Sequence, residues 1–277
     1  MLFRTTVACA IALSASSSFA QDLSSQNTSI QHEIGVGISD IRDTDDNFIG
    51  VSYRYYFDAV NIGEQPWAIS PYLQRTNSLS VDYFGIDNID SINVKGEWFY
   101  SDSLVVRGRY GRITDDREYY DDTLQRFGAD VSTFANEHWE YGAGFDFYDL
   151  DERSYDVSGS LDYKNSDSEF SFNIFARYTS FGTSMQRFTP GWDIKLKGTS
   201  FDSDISIELD ADYYFKSNWS VGVMVIHEEN DFDETDSVIE LGTNYWFNPH
   251  ASLRFGLGYD IDDSRLGSVT LLGTFRF

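Results

Sequence analysis

Apolar and polar residues alternate along most of the chain from Ser29 onward. In the stretches IGVSYRYYF (residues 49–57), FSFNIFARY (170–178) and ISIELDADYYF (205–215), every second side chain belongs to an apolar or aromatic set. A period of two is that of a β-strand with two unlike faces. No segment of comparable length has a helical period, so the pattern predicts an all-β chain.

Aromatic residues gather where the strands end. WFYSDS, TFANEHW, YYFKSNW and YWFNPH place rings beside short polar turns, whereas RDTDDN, TDDREYYDD, DLDERSYD and ENDFDETD lie at the opposite strand ends and read as longer acidic loops. Aromatic girdles, short turns at one end and long loops at the other are typical of an outer-membrane barrel. We therefore predict a transmembrane antiparallel up-and-down β-barrel. A soluble β-sandwich or propeller would also alternate, but its aromatic residues would lie at strand centres.

The turn signals set the expected number of strands. Short turns are predicted near Asn61, Asp102, Asn136, Ser166, Ser217 and Pro249. With seven longer loops and both termini in the periplasm, they give about 14 strands. Residues 181–203 are interpreted as one long loop, but WDIKLKG within it also alternates. Twelve or sixteen strands therefore remain open.

The two ends of the chain carry export and assembly signals. Arg4, a short apolar core and Ala20 predict a signal peptide over residues 1–20, which contains Cys9, the single cysteine. Residues 21–28 would be a short periplasmic segment, and residues 29–277 a single barrel domain. The ending GSVTLLGTFRF alternates to the last residue, so we expect it to pair with the first strand near residues 30–38. It resembles the carboxy-terminal signal that the barrel-assembly machinery reads, with Phe275 and Phe277 as its aromatic residues.

Composition excludes several functions. The net charge is −25, with 45 acidic residues against 20 basic ones, which argues against a nucleic-acid partner. His138 and His250 fall in turns, and His32 and His227 share faces with apolar residues, so no histidine is placed for catalysis in the lumen. We expect no enzyme activity, no cofactor and no metal site. The acidic loops could hold divalent cations against lipopolysaccharide, or simply be solvated.

Charged residues occupy the inward positions of the strands. Arg177, Glu33, Glu97 and Asp130 are among them. A basic arc is predicted from Arg54, Lys95, Arg107, Arg109 and Arg126, and an acidic arc from Glu140, Asp146, Asp156, Asp162, Glu208, Asp210, Asp212 and Glu240. Arg107 and Arg109 are expected to face Asp210 and Asp212 and to create a transverse field. Side chains alone cannot fill fourteen strands, which favours a pore; the alternative is that these charges pair and fill a closed interior.

Residues 182–203 differ in charge from the other connections. Three cations, Arg187, Lys195 and Lys197, outnumber the two acidic residues there. We expect this loop to fold into the acidic lumen and constrict it, with Phe188 and Trp192 as anchors. An external hairpin that binds lipopolysaccharide phosphates is the alternative.

Three stretches, QHEIGVGISDI, GVSYRYYFDAV and SPYLQRTNSLSVDY, resemble the porin families of Gram-negative bacteria. The resemblance implies a cell outer-membrane protein that lets small hydrophilic solutes and ions diffuse passively. The net acidic lumen and mouths predict a cation-leaning pore. Its partners would be outer-membrane lipid, lipopolysaccharide, the assembly machinery and small polar solutes, as a monomer or a trimer. The alternative is a structural or adhesive barrel with a blocked lumen, acting through its acidic loops.

Overall fold

The computed structural model describes residues 29–41, 47–86, 88–117, 120–155, 161–182, 187–201, 204–229 and 235–277. The predicted signal peptide and the segment 21–28 lie outside this range. The strands are β1 Ser29–Ile41, β2 Asn47–Asn61, β3 Ser78–Ile86, β4 Ile89–Phe99, β5 Leu104–Arg117, β6 Tyr120–Phe134, β7 Trp139–Tyr155, β8 Leu161–Thr179, β9 Gly191–Phe201, β10 Asp204–Lys216, β11 Trp219–Glu229, β12 Thr235–Asn248, β13 Ala251–Asp260 and β14 Arg265–Arg276. Each strand pairs with its neighbours in the chain, and β1 pairs with β14, so the sheet is a closed barrel. The predicted fold class and the count of fourteen are confirmed.

Among the connections that the structure describes, the one between β2 and β3 contains short helical elements. A 3-10 turn, Trp67–Ile69, and the four-residue helix α1, Ser70–Leu73, lie between β2 and β3. Among the described residues, no helix is long and apolar enough to cross a membrane.

The outer wall of the barrel is apolar. Ile49 and Val51 of β2 are 57% and 46% exposed, and Phe172 and Ile174 of β8 are 66% and 70% exposed. Their neighbours in sequence point inward, as the alternation predicts. Exposing so much apolar surface is unfavourable in water and favourable in lipid. This surface is therefore the exterior of a membrane-spanning barrel.

We call the end of the barrel where β1 begins and β14 ends the terminal end. Aromatic side chains form a girdle at this end. Trp192 lies 4.8 Å from Tyr213, measured between ring centroids, and Tyr213 lies 4.8 Å from Phe215. Phe215 in turn lies 5.1 Å from Trp219 on the next strand. The predicted girdle at the short turns is therefore present. The opposite end is called the distal end below.

The last residue takes part in barrel closure. β1 and β14 pair from Glu33 opposite Arg276 to Ile41 opposite Ser268. Beyond this ladder, the Phe277 N–H donates to the His32 carbonyl at 2.9 Å, and the Phe277 carbonyl accepts from the His32 N–H at 2.8 Å. The Phe277 ring stacks on His32 at 5.0 Å. The expected pairing to the end of the chain is confirmed.

Two predicted connections are wrong. Ser166 does not form a turn but lies inside the 19-residue strand β8, where its polar stretch pairs with the distal half of β7. Residues 182–203 are not one loop, because Gly191–Phe201 is strand β9, paired on both sides. The alternation of WDIKLKG therefore correctly indicated a strand. The turn predicted at Ser166 added one strand before residue 180, and the loop predicted over β9 removed one strand after it. The two errors cancel, so the predicted total of fourteen is correct.

The predicted asymmetry of the connections is also wrong. Much of the acidic sequence expected in long loops continues the strands, as in the hairpin where Asp115 pairs with Asp122 and Asp116 with Asp121. The longest connection that the structure describes in full, residues 62–77, lies at the terminal end and not at the distal one. Strand pairing satisfies backbone groups beyond the apolar band as well as within it, so polar residues do not end the strands here.

We predict that Phe277→Asp lowers the amount of folded barrel severalfold, because it removes the terminal ring that stacks on His32 and marks the closing strand. Phe247→Asp is the matched control, since Phe247 is a 63% exposed girdle residue on β12. A carboxylate near the lipid interface costs only about 1 kcal/mol or less. Heat-modifiable gel migration measures the folded fraction, and equal losses in the two variants would contradict an assembly role for Phe277.

Candidate functional site in the barrel lumen

Among the described residues, Asp146 is the centre of a large charge cluster in the lumen. Its carboxylate, on β7, is fully buried. Arg109 of β5 donates to it through Nε at 2.6 Å and Nη2 at 2.8 Å, and Arg126 of β6 donates through Nε at 2.8 Å and Nη2 at 2.9 Å. Two guanidinium forks thus satisfy one carboxylate, the geometry in which arginine pairs are strongest. Arg109 also pairs with Asp130.

Arg107 extends this cluster toward the terminal end. Its guanidinium lies 2.5 Å from the Glu97 carboxylate on β4 and 2.7 Å from the Glu140 carboxylate on β7, and Nη1 also donates to the Ser132 hydroxyl at 3.0 Å. Glu140 is 1% exposed. The arginine reaches across β6, so the pairing ties together strands that share no backbone hydrogen bonds.

Further pairs line the rest of the wall. Arg177 of β8 donates two hydrogen bonds of 2.8 Å to the Asp193 carboxylate of β9. Lys195 donates to Asp210 at 2.7 Å. On the other side of the barrel, Arg254 of β13 lies 2.8 Å from the buried Glu240 of β12.

These contacts correct the predicted charge pattern. The basic and acidic arcs are not separate, because Arg107, Arg109 and Arg126 bind Glu140 and Asp146 directly. Arg107 and Arg109 do not face Asp210, which pairs with Lys195. These charges therefore pair across strands and do not create the expected transverse field over this part of the wall. Pairing of the lumen charges is what the alternative interpretation, a closed interior, predicted.

The remaining predicted positions are distributed around the wall. Lys95 lies 3.4 Å from Asp82, and Glu208 pairs in register with Lys197. Asp212 lines a cavity, described below. Asp162 belongs to β8, and Asp156 lies outside the described residues.

Residues 62–77, which connect β2 to β3, fold into the terminal end of the lumen, and we call them the plug. Tyr72 and Leu73 are buried there in a cluster with Phe181 and Tyr214. The Arg177 guanidinium lies 3.3 Å from the centroid of the Tyr72 ring, a cation–π contact. Burial, and the nearby Glu140 carboxylate, raise the pKa of Tyr72, so its phenol remains protonated at neutral pH. The plug is therefore packed on the charged wall.

Hydrogen bonds fasten the plug to distant strands. The Trp67 N–H donates to the Ser217 carbonyl, at the turn between β10 and β11, at 2.8 Å. The Trp67 carbonyl accepts from Arg276 Nη1 at 2.6 Å, and Arg276 also pairs with Glu33 at 2.5 Å. Gln74 bonds to the backbone of Asn61 at the start of the segment. The plug consequently crosses the terminal opening from one side of the ring to the other.

The predicted constriction loop is wrong in position. Phe181, at the start of the connection between β8 and β9, is fully buried against Tyr214 at 5.6 Å, and Phe188 packs beside it at 6.1 Å. Phe188 thus does reach the lumen, but at the terminal end rather than the distal one. Arg187 is exposed.

The other three residues assigned to that loop belong to β9. Trp192 points outward into the girdle and is 44% exposed. Lys195 and Lys197 occupy alternate positions on the inner face of the strand, opposite Asp210 and Glu208. They are part of the wall, because β9 is paired along its whole length.

Two cavities occupy the lumen beside these contacts. One, of about 140 Å³, lies between the plug and the wall of β10 to β13 and includes Ala68, Asp212, Asn244 and Arg254. The other, of about 220 Å³, lies against β2 to β6 and includes Arg54, Ser80 and Lys95. Both are lined by polar and charged groups, as a path for hydrophilic solutes requires.

Sequence reasoning missed the plug and several ion-pair partners. The stretch NIGEQPWAISPYLQ loses its alternation and contains Pro66 and Pro71, which signals an apolar segment that is not a strand. Asp193, Arg254 and Arg276 occupy inward positions by alternation. They could have been assigned to the lumen if β9 had been recognised as a strand and if the inward positions of the last strands had been included.

Comparisons with known proteins agree with the fold. The chain is similar to the outer membrane protein Omp33 of Acinetobacter baumannii, with a TM-score of 0.68, 17% identity, and coverage of 91% of this chain and 100% of that one. It is also similar to the KdgM porin (TM-score 0.45, 7% identity, coverage 88% and 99%) and to the CymD monoaromatic hydrocarbon channel (0.44, 10%, 91% and 89%). No protein-family model and no curated protein matches the sequence.

We predict that Asp146→Ala lowers the free energy of unfolding by about 3 kcal/mol, because it leaves two guanidinium groups short of their shared partner. Asp263→Ala is the matched control: Asp263 is 59% exposed and pairs with Arg265 at 2.6 Å. Its loss should cost less than about 1 kcal/mol. Urea-induced unfolding in lipid vesicles measures both values. Equal destabilisation would show that the cluster at Asp146 contributes no more than a surface ion pair.

Proposed function

We propose that the protein is a porin-like channel of the cell outer membrane that passes small hydrophilic solutes and ions. The observation that carries the proposal is the contrast between an outer wall of exposed apolar side chains and an inner wall of arginines and carboxylates with polar cavities. A polar interior within an apolar exterior is the arrangement of a water-filled passage through lipid. We propose no enzymatic role.

We further propose that the terminal end faces the periplasm and that the plug narrows the passage there. The Phe277 girdle would then lie at the inner interface, where the assembly machinery reads the last strand. The plug is held by Ser217 and Arg276 and by its apolar contacts with Phe181 and Tyr214, so it would restrict solutes by size. The lipid and lipopolysaccharide of the outer membrane would surround the barrel.

A preference for cations is the third part of the proposal. Lumen carboxylates such as Glu140, Asp146 and Asp193 are paired with arginine, whereas a group of carboxylates lies close together at the distal end. Asp236, Asp260 and Asp262 place carboxylate oxygens within 4.8 Å of one another there. Fixed negative charge at a mouth concentrates cations within a Debye length of about 8 Å at physiological salt.

The second candidate is a structural barrel with a blocked lumen. The plug supports it, because a segment of backbone crosses the terminal opening. The two candidates differ in one measurable property, the conductance of the purified barrel in a planar bilayer.

We predict that replacing residues 64–73 with a short Gly-Ser linker raises single-channel conductance severalfold, because it removes Tyr72 and Leu73 from the lumen. Heat-modifiable migration must first show that the variant folds. The double variant Tyr72→Ala, Leu73→Ala should give a smaller increase. A folded linker variant that conducts like the parent would contradict constriction by the plug. If neither conducts, the channel proposal fails and the blocked barrel is favoured.

We predict that the barrel is weakly to moderately cation-selective and that Asp212→Asn lowers its cation-to-anion permeability ratio. Asp212 lines the cavity beside the plug. Asp102→Asn is the control, because Asp102 is fully exposed on a turn outside the lumen. Reversal potentials in a salt gradient give the ratio. Anion selectivity of the parent would overturn the proposed preference.

A further inference from the structure

One row of residues on the inner wall carries cations on three of four adjacent strands. Arg54 of β2 pairs in register with Ser80 of β3, Ser80 pairs with Lys95 of β4, and Lys95 pairs with Arg109 of β5. Lys95 and Arg109 are thus direct cross-strand neighbours of like charge, an arrangement that destabilises a sheet unless an anion compensates it. In a chain with a net charge of −25, this concentration of positive charge is local.

The two arginines beyond β4 already have partners. Arg109 binds Asp130 and Asp146, and Arg107 binds Glu97 and Glu140. Their guanidinium groups are therefore already occupied by carboxylates of the wall. A ligand would have to bind the other cations of the row.

Arg54 and Lys95 are held less closely. Both side chains are exposed within the cavity of about 220 Å³ that they line. Among the described residues, Arg54 forms no ion pair, and its guanidinium donates a hydrogen bond to the buried Tyr56 phenol. Lys95 has only the longer contact of 3.4 Å to Asp82. Lys95 can therefore turn toward a ligand freely, and Arg54 can do so by exchanging one hydrogen bond to a neutral phenol rather than by breaking a buried ion pair.

The space between them is created by short side chains. Ser80, which separates Arg54 from Lys95, is 4% exposed, and Ser78, two residues earlier on the same face, is 8% exposed. Neighbouring strands lie about 4.8 Å apart, so the backbones of β2 and β4 are about 10 Å apart here. Two long cationic side chains thus flank a floor of two hydroxyl groups, which donate hydrogen bonds to oxygen anions.

We propose that this place, which we call the Arg54–Lys95 recess, is a binding subsite for small organic solutes that carry carboxylate groups. A carboxylate lies above Ser80 and accepts from the planar fork of Arg54, while Lys95 supplies a point charge to the same group or to a second carboxylate. The subsite deepens the proposed channel function, on which its physiological meaning rests. A cation-leaning mouth and an anion subsite are compatible, because the recess supplies affinity to an anion that the acidic distal end would otherwise exclude.

Isothermal titration of the purified, folded barrel in detergent tests the proposal without requiring conduction. Succinate is the probe, succinamide is its uncharged analogue, and inorganic phosphate is the competing oxyanion, all at one ionic strength. We expect succinate to bind and succinamide not to bind. Arg54→Gln and Lys95→Gln should each weaken succinate binding by about tenfold or more, as expected for the loss of one charge-assisted hydrogen bond.

Matched variants separate local recognition from net charge. Lys216→Gln removes the same charge from an exposed position at the end of β10 and should leave the affinity for succinate unchanged. Lys95→Arg should retain binding. The recess is excluded if the parent does not bind succinate, if succinamide binds equally well, or if both glutamine variants retain full affinity. Phosphate binding as tight as succinate would overturn the carboxylate assignment.

The outcome is distinguishable from that of the channel proposal. A barrel that binds succinate through Arg54 and Lys95 but conducts no ions in a bilayer retains the subsite and loses the channel. A barrel that conducts but shows no succinate binding retains the channel and loses the subsite.

Discussion

Every backbone N–H and C=O that crosses the bilayer must find a partner within the protein, and the rest of this structure depends on that requirement. A sheet of fourteen strands meets it only by closing on itself, and β1 and β14 do so along nine register pairs, from Glu33 with Arg276 to Ile41 with Ser268. Closure fixes which way each side chain points. The lipid-facing set, such as Ile49 and Phe172, and the lumen-facing set, such as Arg109 and Asp146, are two consequences of one backbone geometry.

A closed wall of this size encloses more space than its own side chains can fill. The chain occupies that space in two ways. Arginines lie along the wall and join strands through carboxylates, as Arg109 joins β5 to β7 through Asp146. At the terminal end, Trp67 and Tyr72 bring a segment of backbone into the opening. The first arrangement stiffens the wall and the second limits the passage, so stability and selectivity arise from different parts of the lumen.

The features that the sequence predicted are those that depend on neighbouring residues. Alternation alone placed Phe170, Phe172 and Ile174 on the outer face, and the terminal pattern correctly placed Phe277 in the closing pair. Ser166 misled the assignment because a polar strand end above the lipid has the composition of a turn. The ladder from Leu150 to Arg153 of β7 opposite β8 shows that pairing continues there regardless.

The candidate site was less predictable, because its contacts join residues far apart in the chain. The inward orientation of Arg107, Glu140 and Asp146 follows from strand period, but which carboxylate each arginine reaches depends on register and on side-chain length. Separate arcs of charge were therefore a reasonable inference from strand order and a wrong one in space. The plug could not be placed either, since nothing within residues 62–77 indicates that their partners are Ser217 and Arg276.

The anchoring of the plug has a consequence for the order in which the protein is built. Trp67 and Arg276 are separated by 209 positions, so their hydrogen bond cannot form until the last strand is in place. Loop-closure entropy disfavours such a distant contact until nearer ones have brought its ends together. The folding chain therefore passes through a stage in which most strands are paired and the plug lacks its contact with the last strand. Before that contact forms, the plug is held by groups earlier in the chain, such as the Ser217 carbonyl that accepts from the Trp67 N–H.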